Sequence, residues 1–311
     1  MKRVLIFGVG GFVGGYLTRE FQQHGYEVYG SDAVDRHPEG IPFRKADLLN
    51  AEAVAELVAE VSPDAIVNLA AISSVGLAWK IPQTTVQVNV VGALNILEAA
   101  RAARPMPKVL FIGSSEEYAE SDKPIGENSP LNANNPYGIS KMTQEKFAES
   151  YRERYGMQVY CVRAFNHTGV GQNGNFVIPN WCRQVAEISK SGKPGTMRVG
   201  NLNVRRDFGN VKDVVRAYRM VLESQDCSMI YNIGTGNSVL LKDLLDYIVG
   251  LSEQPITVEI DPALIRPVDT PYICCDHSLI TEKLGWNPEY TLFDTVKEMV
   301  EDFKGDAYAK N

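Results

Sequence analysis

The chain has 311 residues, of which 44% are hydrophobic and 22% charged, and its formal net charge is −7. This composition is typical of a folded protein with a sizeable core, and the negative charge argues against sequence-independent binding to nucleic acid, which requires a basic surface. No stretch approaches the ~20 uninterrupted apolar residues of a membrane span. The 5 scattered cysteines and 4 histidines indicate neither a disulfide framework nor a metal site. We therefore expect a cytoplasmic protein with no metal, nucleic acid or membrane partner.

The first predicted elements are a strand over residues 2–7, a glycine-rich turn and a helix that ends near His24. The turn reads Gly8-Val9-Gly10-Gly11-Phe12-Val13-Gly14, which has the spacing G-x-x-G-x-x-G. Backbone N–H groups and the helix dipole face an anion at such a turn, and glycine lets the anion approach closely. The turn therefore predicts a phosphate cradle for a dinucleotide cofactor, with contacts from Gly8, Gly11, Phe12, Val13 and Gly14.

The second predicted strand, residues 27–30, ends at Ser31-Asp32. A carboxylate about twenty residues beyond the glycines accepts hydrogen bonds from the adenosine ribose and repels a 2′-phosphate, which favours NAD(H). Arg36 lies four residues further on and could pair with such a phosphate, so NADP(H) is the alternative. Asp47 and Leu48 follow a third short strand and are candidates for contact with the adenine, or equally for the N-cap region of a helix over residues 51–61.

Two further predicted strands bring polar loops to one edge of the sheet. The first covers residues 64–71 and is followed by a helix over residues 83–104 that carries Asn89 as a buried structural amide. The second covers residues 108–113 and ends at Ser114. Ligands of open α/β sheets bind at the carboxyl ends of the strands, so we expect a ligand beside Ser114 and the residues that follow it.

Tyr137 and Lys141 stand four residues apart at the start of a long predicted helix, so their side chains share one face. A free phenol titrates near ~10, and bringing its pKa toward neutrality requires roughly 4 kcal/mol of differential stabilisation of the phenolate. An ammonium beside the phenol, helped by a positively charged nicotinamide, could supply this. With the Ser114 hydroxyl, the two residues predict a Ser/Tyr/Lys proton-transfer set.

In the second half of the chain, predicted strands and helices alternate less regularly than in the first half. A strand over residues 157–163 precedes predicted helices over residues 176–189, 211–223, 240–251, 278–284 and 292–303, and residues 193–203 are expected to be irregular. The pattern predicts a Rossmann-type, doubly wound parallel α/β sheet with a smaller C-terminal substrate-binding α/β part. We assign residues 1–165 to an NAD(P)-binding domain to which residues 205–237 return, and residues 166–204 and 238–311 to the substrate-binding part.

Together these motifs resemble the extended short-chain dehydrogenase/reductase superfamily, the NAD-dependent epimerases and dehydratases, over nearly the whole chain. The matching positions are Gly8-x-x-Gly11-x-x-Gly14, Asn68-Leu69-Ala70-Ala71, Asn89, Ser114, Tyr137-x-x-x-Lys141, Arg206-Asp207-Phe208 and Arg266-Pro267. Within the superfamily the sequence looks most like the reductases of GDP-6-deoxy-4-keto-D-mannose that form GDP-D-rhamnose. This likeness depends on residues 114–118, 163–169 and 199–208.

The resemblance implies that hydride from NAD(P)H reduces the C4 keto group of the GDP-sugar. Tyr137 would donate a proton to the C4 oxygen, Ser114 would hold that oxygen, and Lys141 would bind the nicotinamide ribose. Further cofactor contacts are implied for Leu69, Ala70 and Ala71. Contacts with the substrate are implied for Ser115, for Asn166, Arg206 and Arg266 at the diphosphate, and for Asp269 at the nucleoside ribose.

Glu116 keeps a second hypothesis open. In related sugar-nucleotide dehydratases a glutamate at this position abstracts the C5 proton, so a catalytic Glu116 is compatible with a GDP-mannose 4,6-dehydratase or a 4-epimerase on the same scaffold. A third reading, a non-catalytic NAD(P) sensor, is disfavoured because a sensor needs no proton donor. The superfamily usually builds homodimers from the helices that correspond to residues 83–104 and 136–154, and the resemblance implies a homodimer here.

Overall fold

A computed structural model of the chain describes residues 2–228, 230–265 and 270–305. Its largest layer is a sheet of seven strands, which are β1 (Lys2–Phe7), β2 (Tyr26–Asp32), β3 (Phe43–Lys45), β4 (Ala65–Asn68), β5 (Lys108–Ser114), β6 (Val159–Ala164) and β10 (Ile230–Ile233). Their order is β10-β6-β5-β4-β1-β2-β3, and every pairing is parallel. The order reverses direction between β1 and β4, which is where such sheets bind ligands.

Helices cover both faces of this sheet, as the Rossmann-type prediction requires. The helices in the described residues are α1 (Phe12–Gln23), α2 (Ala51–Val61), α3 (Val75–Lys80), α4 (Pro82–Val86), α5 (Gly92–Ala102), α6 (Pro136–Tyr155), α7 (Val177–Ser191), α8 (Val211–Glu223), α9 (Leu241–Val249), α10 (Ser278–Leu284) and α11 (Leu292–Lys304). One buried apolar cluster joins the sheet to α1, α8 and α10, and a second joins its other face to α2, α5 and α6. None of these helices is long and apolar enough to cross a membrane.

The remaining strands form a smaller part. They are β7 (Asn166–Thr168), β8 (Gly195–Val199), β9 (Arg205–Asn210), β11 (Ser238–Leu240), β12 (Ile256–Ile260) and β13 (Tyr272–Ile273). The strand β9 pairs with β7, β11 and β13, while β8 pairs with β12. A third apolar cluster between α7, α9 and α11 supports these strands. Residues 205–237 contribute to both layers, since β9 lies in the smaller sheet and β10 is an edge strand of the larger one.

The element predictions fail where pairing or packing is not local. Residues 193–203 were expected to be irregular but contain β8, which forms because β12 pairs with it. The predicted helix over residues 83–104 is interrupted by a π turn at Gln87–Val91 and ends at Ala102. The loop after β4 contains the short helix α3, whose N-cap Ser74 accepts a hydrogen bond from the Leu77 N–H.

Candidate active site

The first turn of α6 is held against the end of β5. The Asn135 side chain caps the helix by accepting a hydrogen bond from the Gly138 N–H at 2.9 Å, and Pro136 starts the helix with its φ already suitable. At Gly138 a Cβ atom would lie 2.2 Å from the Glu116 carbonyl oxygen, so glycine is required for this close approach. The packing brings Tyr137 to the carboxyl end of β5, where Ser114 lies.

The Ser114 hydroxyl lies beside the Tyr137 phenol, where it can act as a hydrogen-bonding partner of the phenol. Desolvation of the phenol raises the pKa of Tyr137 well above its usual value, the hydrogen bond with Ser114 opposes this, and the charges of Glu117 and Glu116 raise the pKa further. The phenol is therefore protonated at neutral pH, which is the state of a proton donor. From the sequence we expected a phenol pKa lowered toward neutrality, and the structure does not show this. Such a lowering requires the additional positive charge of a bound cofactor.

Lys141 is buried one turn further along α6, and its Nζ lies 6.0 Å from the centre of the Tyr137 ring. Nζ donates a long hydrogen bond of 3.4 Å to Gln144 Oε1. Burial lowers the pKa of Lys141 to about 8, and the charges of Glu117 and Cys161 oppose this lowering. The ammonium is thus poorly solvated and available to a ligand that presents hydroxyl oxygens beside Tyr137.

Ser115 and Glu116 follow Ser114 in a single 3-10 turn, Ser115–Glu117. Glu116 is part-exposed, and its Oε2 accepts a hydrogen bond of 2.9 Å from Asn135 Nδ2. Both residues line a cleft that also includes Asn134 and Tyr272. The cleft therefore places a carboxylate and a hydroxyl next to the Ser114–Tyr137 pair, with one wall coming from the smaller part of the structure.

The glycine turn between β1 and α1 has the features of a phosphate cradle. Gly8 has φ +77°, and a Cβ atom there would lie 2.5 Å from the Ala70 N atom, so only glycine suits this position. Gly11 is the N-cap of α1; no side chain caps the helix, and its first turn contains no acidic residue. Phe12, Val13 and Gly14 form that first turn. The Gly14 N–H donates to the Gly11 carbonyl at 3.1 Å, so within this turn the N–H groups of Phe12 and Val13 remain for an anion, which fits a dinucleotide diphosphate.

The loop after β4 lies against this turn. The Leu69 N–H donates to the Phe7 carbonyl at 2.9 Å, and the Ala70 N–H donates to Asn68 Oδ1 at 3.1 Å. Asn89 lies on the π turn and is fully buried. Its side-chain amide fixes the loop through two hydrogen bonds with the Ile72 backbone, accepting one from the N–H at 2.8 Å and donating one to the carbonyl at 3.1 Å. The same amide donates to Ser140 Oγ on α6 at 2.9 Å. The structural role predicted for Asn89 is confirmed, and Ala71 lies within the loop that it holds.

Asp32 and Arg36 flank the glycine turn from the end of β2. Asp32 Oδ2 accepts a hydrogen bond of 3.1 Å from the Gly10 N–H, and Arg36 Nε donates one of 2.7 Å to the Gly10 carbonyl. A carboxylate and a guanidinium are thus both placed beside the edge of the cradle. The preference for NAD(H) through Asp32, with NADP(H) through Arg36 as the alternative, stays a prediction.

Asp47 and Leu48 lie in the turn before α2. The Leu49 N–H donates to Asp47 Oδ1 at 2.9 Å, and the N-cap of α2 is Asn50. Leu48 is buried, and its carbonyl accepts a hydrogen bond of 2.7 Å from Asn95 Nδ2. The pair therefore belongs to the turn that precedes the cap, and contact with an adenine stays a prediction.

Two of the expected substrate-binding residues lie on neighbouring strands of the smaller sheet. Asn166 on β7 is in register with Phe208 on β9, and Arg206 lies two residues before Phe208. Arg206 is largely buried and donates to the Arg205 carbonyl at 2.9 Å. Arg266 and Asp269 lie outside the described residues, so their assignment stays a prediction.

Sequence reasoning missed two residues of this site, Asn135 and Glu117. The Asn135-Pro136 dipeptide is a typical N-cap and first helical position, so this signal was readable. Glu117 carried no signal, because a glutamate in a run of polar residues looks solvated. It is instead 0% exposed, and its Oε1 accepts a hydrogen bond of 2.7 Å from the Ser114 N–H.

Comparison with known proteins points to nucleotide-sugar enzymes. The family model described as GDP-mannose 4,6 dehydratase matches residues 5–299. The chain is 29% identical to the GDP-6-deoxy-D-mannose reductase of Pseudomonas aeruginosa over 306 residues, with 97% of each chain covered. It is 32% identical to GDP-mannose 4,6 dehydratase 1 of Arabidopsis thaliana over 326 residues, which covers 97% of this chain and 89% of that protein.

Two solved structures share the fold over nearly the full length. RMD from Pseudomonas aeruginosa, complexed with NADPH, has a TM-score of 0.86 and 27% identity, with 98% of this chain and 99% of that chain covered. UDP-glucose 4-epimerase from Thermus thermophilus, complexed with NAD, has a TM-score of 0.87 and 26% identity with the same coverage.

Proposed function

Because the chain belongs to the GDP-mannose 4,6-dehydratase family, we propose that it reduces the C4 keto group of GDP-4-keto-6-deoxy-D-mannose to give GDP-D-rhamnose. The family consists of NAD(P)-dependent nucleotide-sugar enzymes, including reductases and dehydratases. The observation that carries the proposal is the arrangement of Tyr137 beside Ser114 at the carboxyl end of β5, with the buried Lys141 ammonium one turn further along α6. In a ketoreductase such a set donates the proton that the carbonyl oxygen takes up when hydride reaches the carbonyl carbon.

The lengths of the relatives also support a reductase. The alignment with the Pseudomonas aeruginosa reductase covers 97% of both chains. The alignments with GDP-mannose 4,6-dehydratases from Vibrio cholerae and Arabidopsis thaliana cover 92% and 89% of those proteins. Within the aligned region, the alignments with these two dehydratases run over 347 and 326 residues and so contain insertions relative to this chain, whereas the alignment with the reductase runs over only 306 residues.

In the proposed reaction a bound reduced nicotinamide supplies the hydride for C4. Tyr137 donates its proton to the C4 oxygen, and the Ser114 hydroxyl orients that oxygen. The Lys141 ammonium binds the nicotinamide ribose and stabilises the phenolate that Tyr137 becomes. Donation by a positioned acid is typically worth ~10²–10⁴ in rate, and the orientation of the reacting groups accounts for much of the remainder.

We assign the cofactor to the cleft between β1 and β4. The N–H groups of Phe12 and Val13 at the start of α1 would hold its diphosphate beside Gly11, whose own N–H donates to the Gly8 carbonyl, and Leu69 to Ala71 would lie along it. Asp32 would accept hydrogen bonds from the adenosine ribose, which favours NAD(H). Arg36 is placed to pair with a 2′-phosphate, so NADP(H) is the alternative.

The substrate would occupy the cleft beside Ser115 and Glu116. We propose that Asn166 and Arg206 hold the diphosphate together with Arg266, and that Asp269 binds the nucleoside ribose. Guanidinium groups suit this task because they donate two parallel hydrogen bonds to phosphate oxygens.

A GDP-mannose 4,6-dehydratase is the second candidate, and Glu116 is the observation that favours it. Its part-exposed carboxylate lines the cleft, and the hydrogen bond from Asn135 holds it near the Ser114–Tyr137 pair. A dehydratase recycles its cofactor in place, so freshly purified protein that retains tightly bound NAD(P) would favour this reading.

The deciding experiment is a spectrophotometric assay of NADH and then NADPH oxidation. GDP-4-keto-6-deoxy-D-mannose is generated in situ by a separate dehydratase, and NMR of the product establishes the configuration at C4. Stoichiometric loss of reduced cofactor supports the reductase. No loss, combined with conversion of GDP-mannose in the presence of catalytic NAD(P), would replace it with the dehydratase.

A further inference from the structure

Arg163 is a buried arginine that contacts both elements carrying the proton-transfer set. It lies on β6 in register with Gly113, the residue before Ser114 on β5. Its Nε and Nη2 atoms donate hydrogen bonds of 3.0 and 2.6 Å to the two carboxylate oxygens of Glu145. Glu145 is also buried and lies on α6, about two turns beyond Tyr137. One side of the guanidinium therefore fixes the helix that carries Tyr137.

The other side of the guanidinium holds the turn that carries Ser115 and Glu116. Its Nη1 atom donates to the Tyr118 hydroxyl at 2.8 Å and to the Glu127 carbonyl at 3.1 Å. Tyr118 follows this turn directly, and its own N–H donates to the Ser115 carbonyl at 3.2 Å. The Tyr118 hydroxyl in turn donates to Asn232 Oδ1 on β10 at 2.7 Å. One planar group thus connects α6, the turn after β5 and the edge strand of the sheet.

Stability alone does not explain a buried ion pair of this kind. Removing both charges from water is costly, and such pairs can often be replaced by apolar side chains of similar size without loss of stability. An arginine supplies geometry, because its planar fork donates several hydrogen bonds in fixed directions. The four hydrogen bonds of Arg163 fix the plane of the guanidinium, and with it the separation between Glu145 on the helix and Tyr118 beside the turn.

We propose that Arg163 is a positioning residue of the reaction, which holds α6 and the Ser115–Glu117 turn at a fixed separation. Through these two elements it sets the placement of Tyr137 relative to Ser114. The consequence for the rate rests on the proposed function, because Tyr137 must reach the carbonyl oxygen that Ser114 orients. A misplacement of about 1 Å can cost about 10²-fold in rate.

The test is the paired variant Arg163→Met with Glu145→Met, assayed by steady-state kinetics. It removes both members of the pair, so neither is left as a buried unpaired charge, and methionine is a similarly long side chain. We expect a folded protein whose kcat is lowered by about 10²-fold. The KM for the GDP-sugar should change little, because the proposed diphosphate contacts lie on β7 and β9. A purely structural role predicts wild-type kcat in the folded variant.

A second readout follows Tyr137 itself and needs no sugar substrate. The protein is labelled with 3-fluorotyrosine, and the ¹⁹F NMR signal of Tyr137 is identified by its loss in Tyr137→Phe. In the Arg163→Met, Glu145→Met variant we expect this signal to shift or broaden, because the helix that carries Tyr137 is no longer held against the turn.

The matched control is Arg219→Met with Glu20→Met. This part-buried pair, with Nε and Oε1 2.7 Å apart, joins α8 to α1 away from the proton-transfer set. Its removal should leave both kcat and the Tyr137 signal as in the wild type.

Tyr118→Phe tests the same connection with every charge in place. Arg163 Nε also lies 3.9 Å from Glu117 Oε2, and this contact is lost in the paired variant but kept in Tyr118→Phe. We expect kcat to fall by about tenfold, the rate equivalent of one hydrogen bond. Tyr160→Phe is its control, because that hydroxyl donates to the Ser224 carbonyl at 2.8 Å, and its kcat should not change. If the paired variant does not fold, Tyr118→Phe decides.

Two results would overturn the proposal. One is wild-type kcat in the folded paired variant or in Tyr118→Phe, and the other is a Tyr137 signal that coincides with the wild-type signal. If the wild-type protein fails the reductase assay, the ¹⁹F signal still shows whether Arg163 places Tyr137. Failure of this proposal and failure of the proposed function are therefore distinguishable.

Discussion

Tyr137 is the residue on which the proposed chemistry depends. Its phenol is kept protonated by desolvation and by nearby carboxylates, and Ser114 holds it in place. At this scale the important property is the position of a single proton, which depends on the few side chains in contact with the phenol. The predictions for single residues therefore concern protonation and charge.

Replacing Tyr137 with phenylalanine should reduce kcat by ~10²–10⁴-fold, since it removes the proton donor. The affinity for NADH or NADPH should change little, because Lys141 and the glycine turn are intact. Steady-state kinetics and cofactor titration measure the two quantities separately. Tyr151→Phe is the control, as this tyrosine lies on the same helix but donates its hydroxyl to Glu98 at the surface. A near-wild-type rate for Tyr137→Phe would refute the mechanism.

Replacing Asp32 with alanine should improve the use of NADPH relative to NADH. The carboxylate beside Gly10 repels a 2′-phosphate, and its removal leaves Arg36 to attract that group. We expect the ratio of kcat/KM values to shift by at least about tenfold, or about 1.4 kcal/mol. Asp35→Ala on the same loop should leave the ratio unchanged. An unchanged ratio in Asp32→Ala would show that Asp32 does not face the adenosine ribose.

At the scale of elements, the first turn of α6 contributes both to the stability of the fold and to the placement of Tyr137. Asn135 caps the helix through its Oδ1 and holds Glu116 through its Nδ2. The turn also packs through Gly138 onto the Glu116 backbone. A disturbance of this one cap should therefore affect both folding and the placement of Tyr137.

Asn135→Ala should lower the free energy of unfolding by about 1 kcal/mol through loss of the cap, and it should also lower kcat. Asn50→Ala is a matched control, because Asn50 caps α2 with the same kind of hydrogen bond, from the Ala53 N–H at 3.1 Å. It should cause a similar loss of stability with no change in kcat. Urea denaturation and steady-state kinetics give the two values. Equal kinetic effects in both variants would contradict a special role for the α6 cap.

At the scale of the whole molecule, we expect a homodimer built from the region predicted from the sequence, which the structure divides into α4, the π turn, α5 and α6; the short helix α3 packs against α4 and α6 beside this region. Several apolar side chains on these helices are exposed, including Leu77, Trp79 (61% exposed), Val86, Val91 and Ile139. Exposed apolar groups clustered on neighbouring elements are typical of a protein interface.

The dimer prediction is tested by the paired variant Trp79→Glu with Ile139→Glu. Two buried carboxylates in an apolar interface should convert the protein to a monomer at micromolar concentration, as measured by sedimentation velocity. Tyr290→Glu, at an exposed aromatic residue of the smaller part, should leave the association state unchanged. A wild-type protein that sediments only as a monomer would refute the prediction.

Much of the fold and part of the site were predictable from local pattern. The bounds of β1, α2, α8 and α10 agree with the prediction to the residue, because apolar spacing and capping residues act within a few positions. The glycine turn and the Tyr137-x-x-x-Lys141 spacing were predictable for the same reason, because each lies within a few consecutive residues. Ser114 was placed correctly at the end of β5, because the ends of parallel strands share one edge of the sheet.

Only the tertiary structure decided the features that depend on distant residues. The strand β8 exists because β12 pairs with it, and the π turn places Asn89 where it can reach both Ile72 and Ser140. Glu117 is buried because helices and strands that are distant in sequence pack together around it. The same packing determines the environment of Lys141. The sequence by itself therefore determined the elements and the chemical groups, whereas burial and electrostatics, which set pKa values, required the packed molecule.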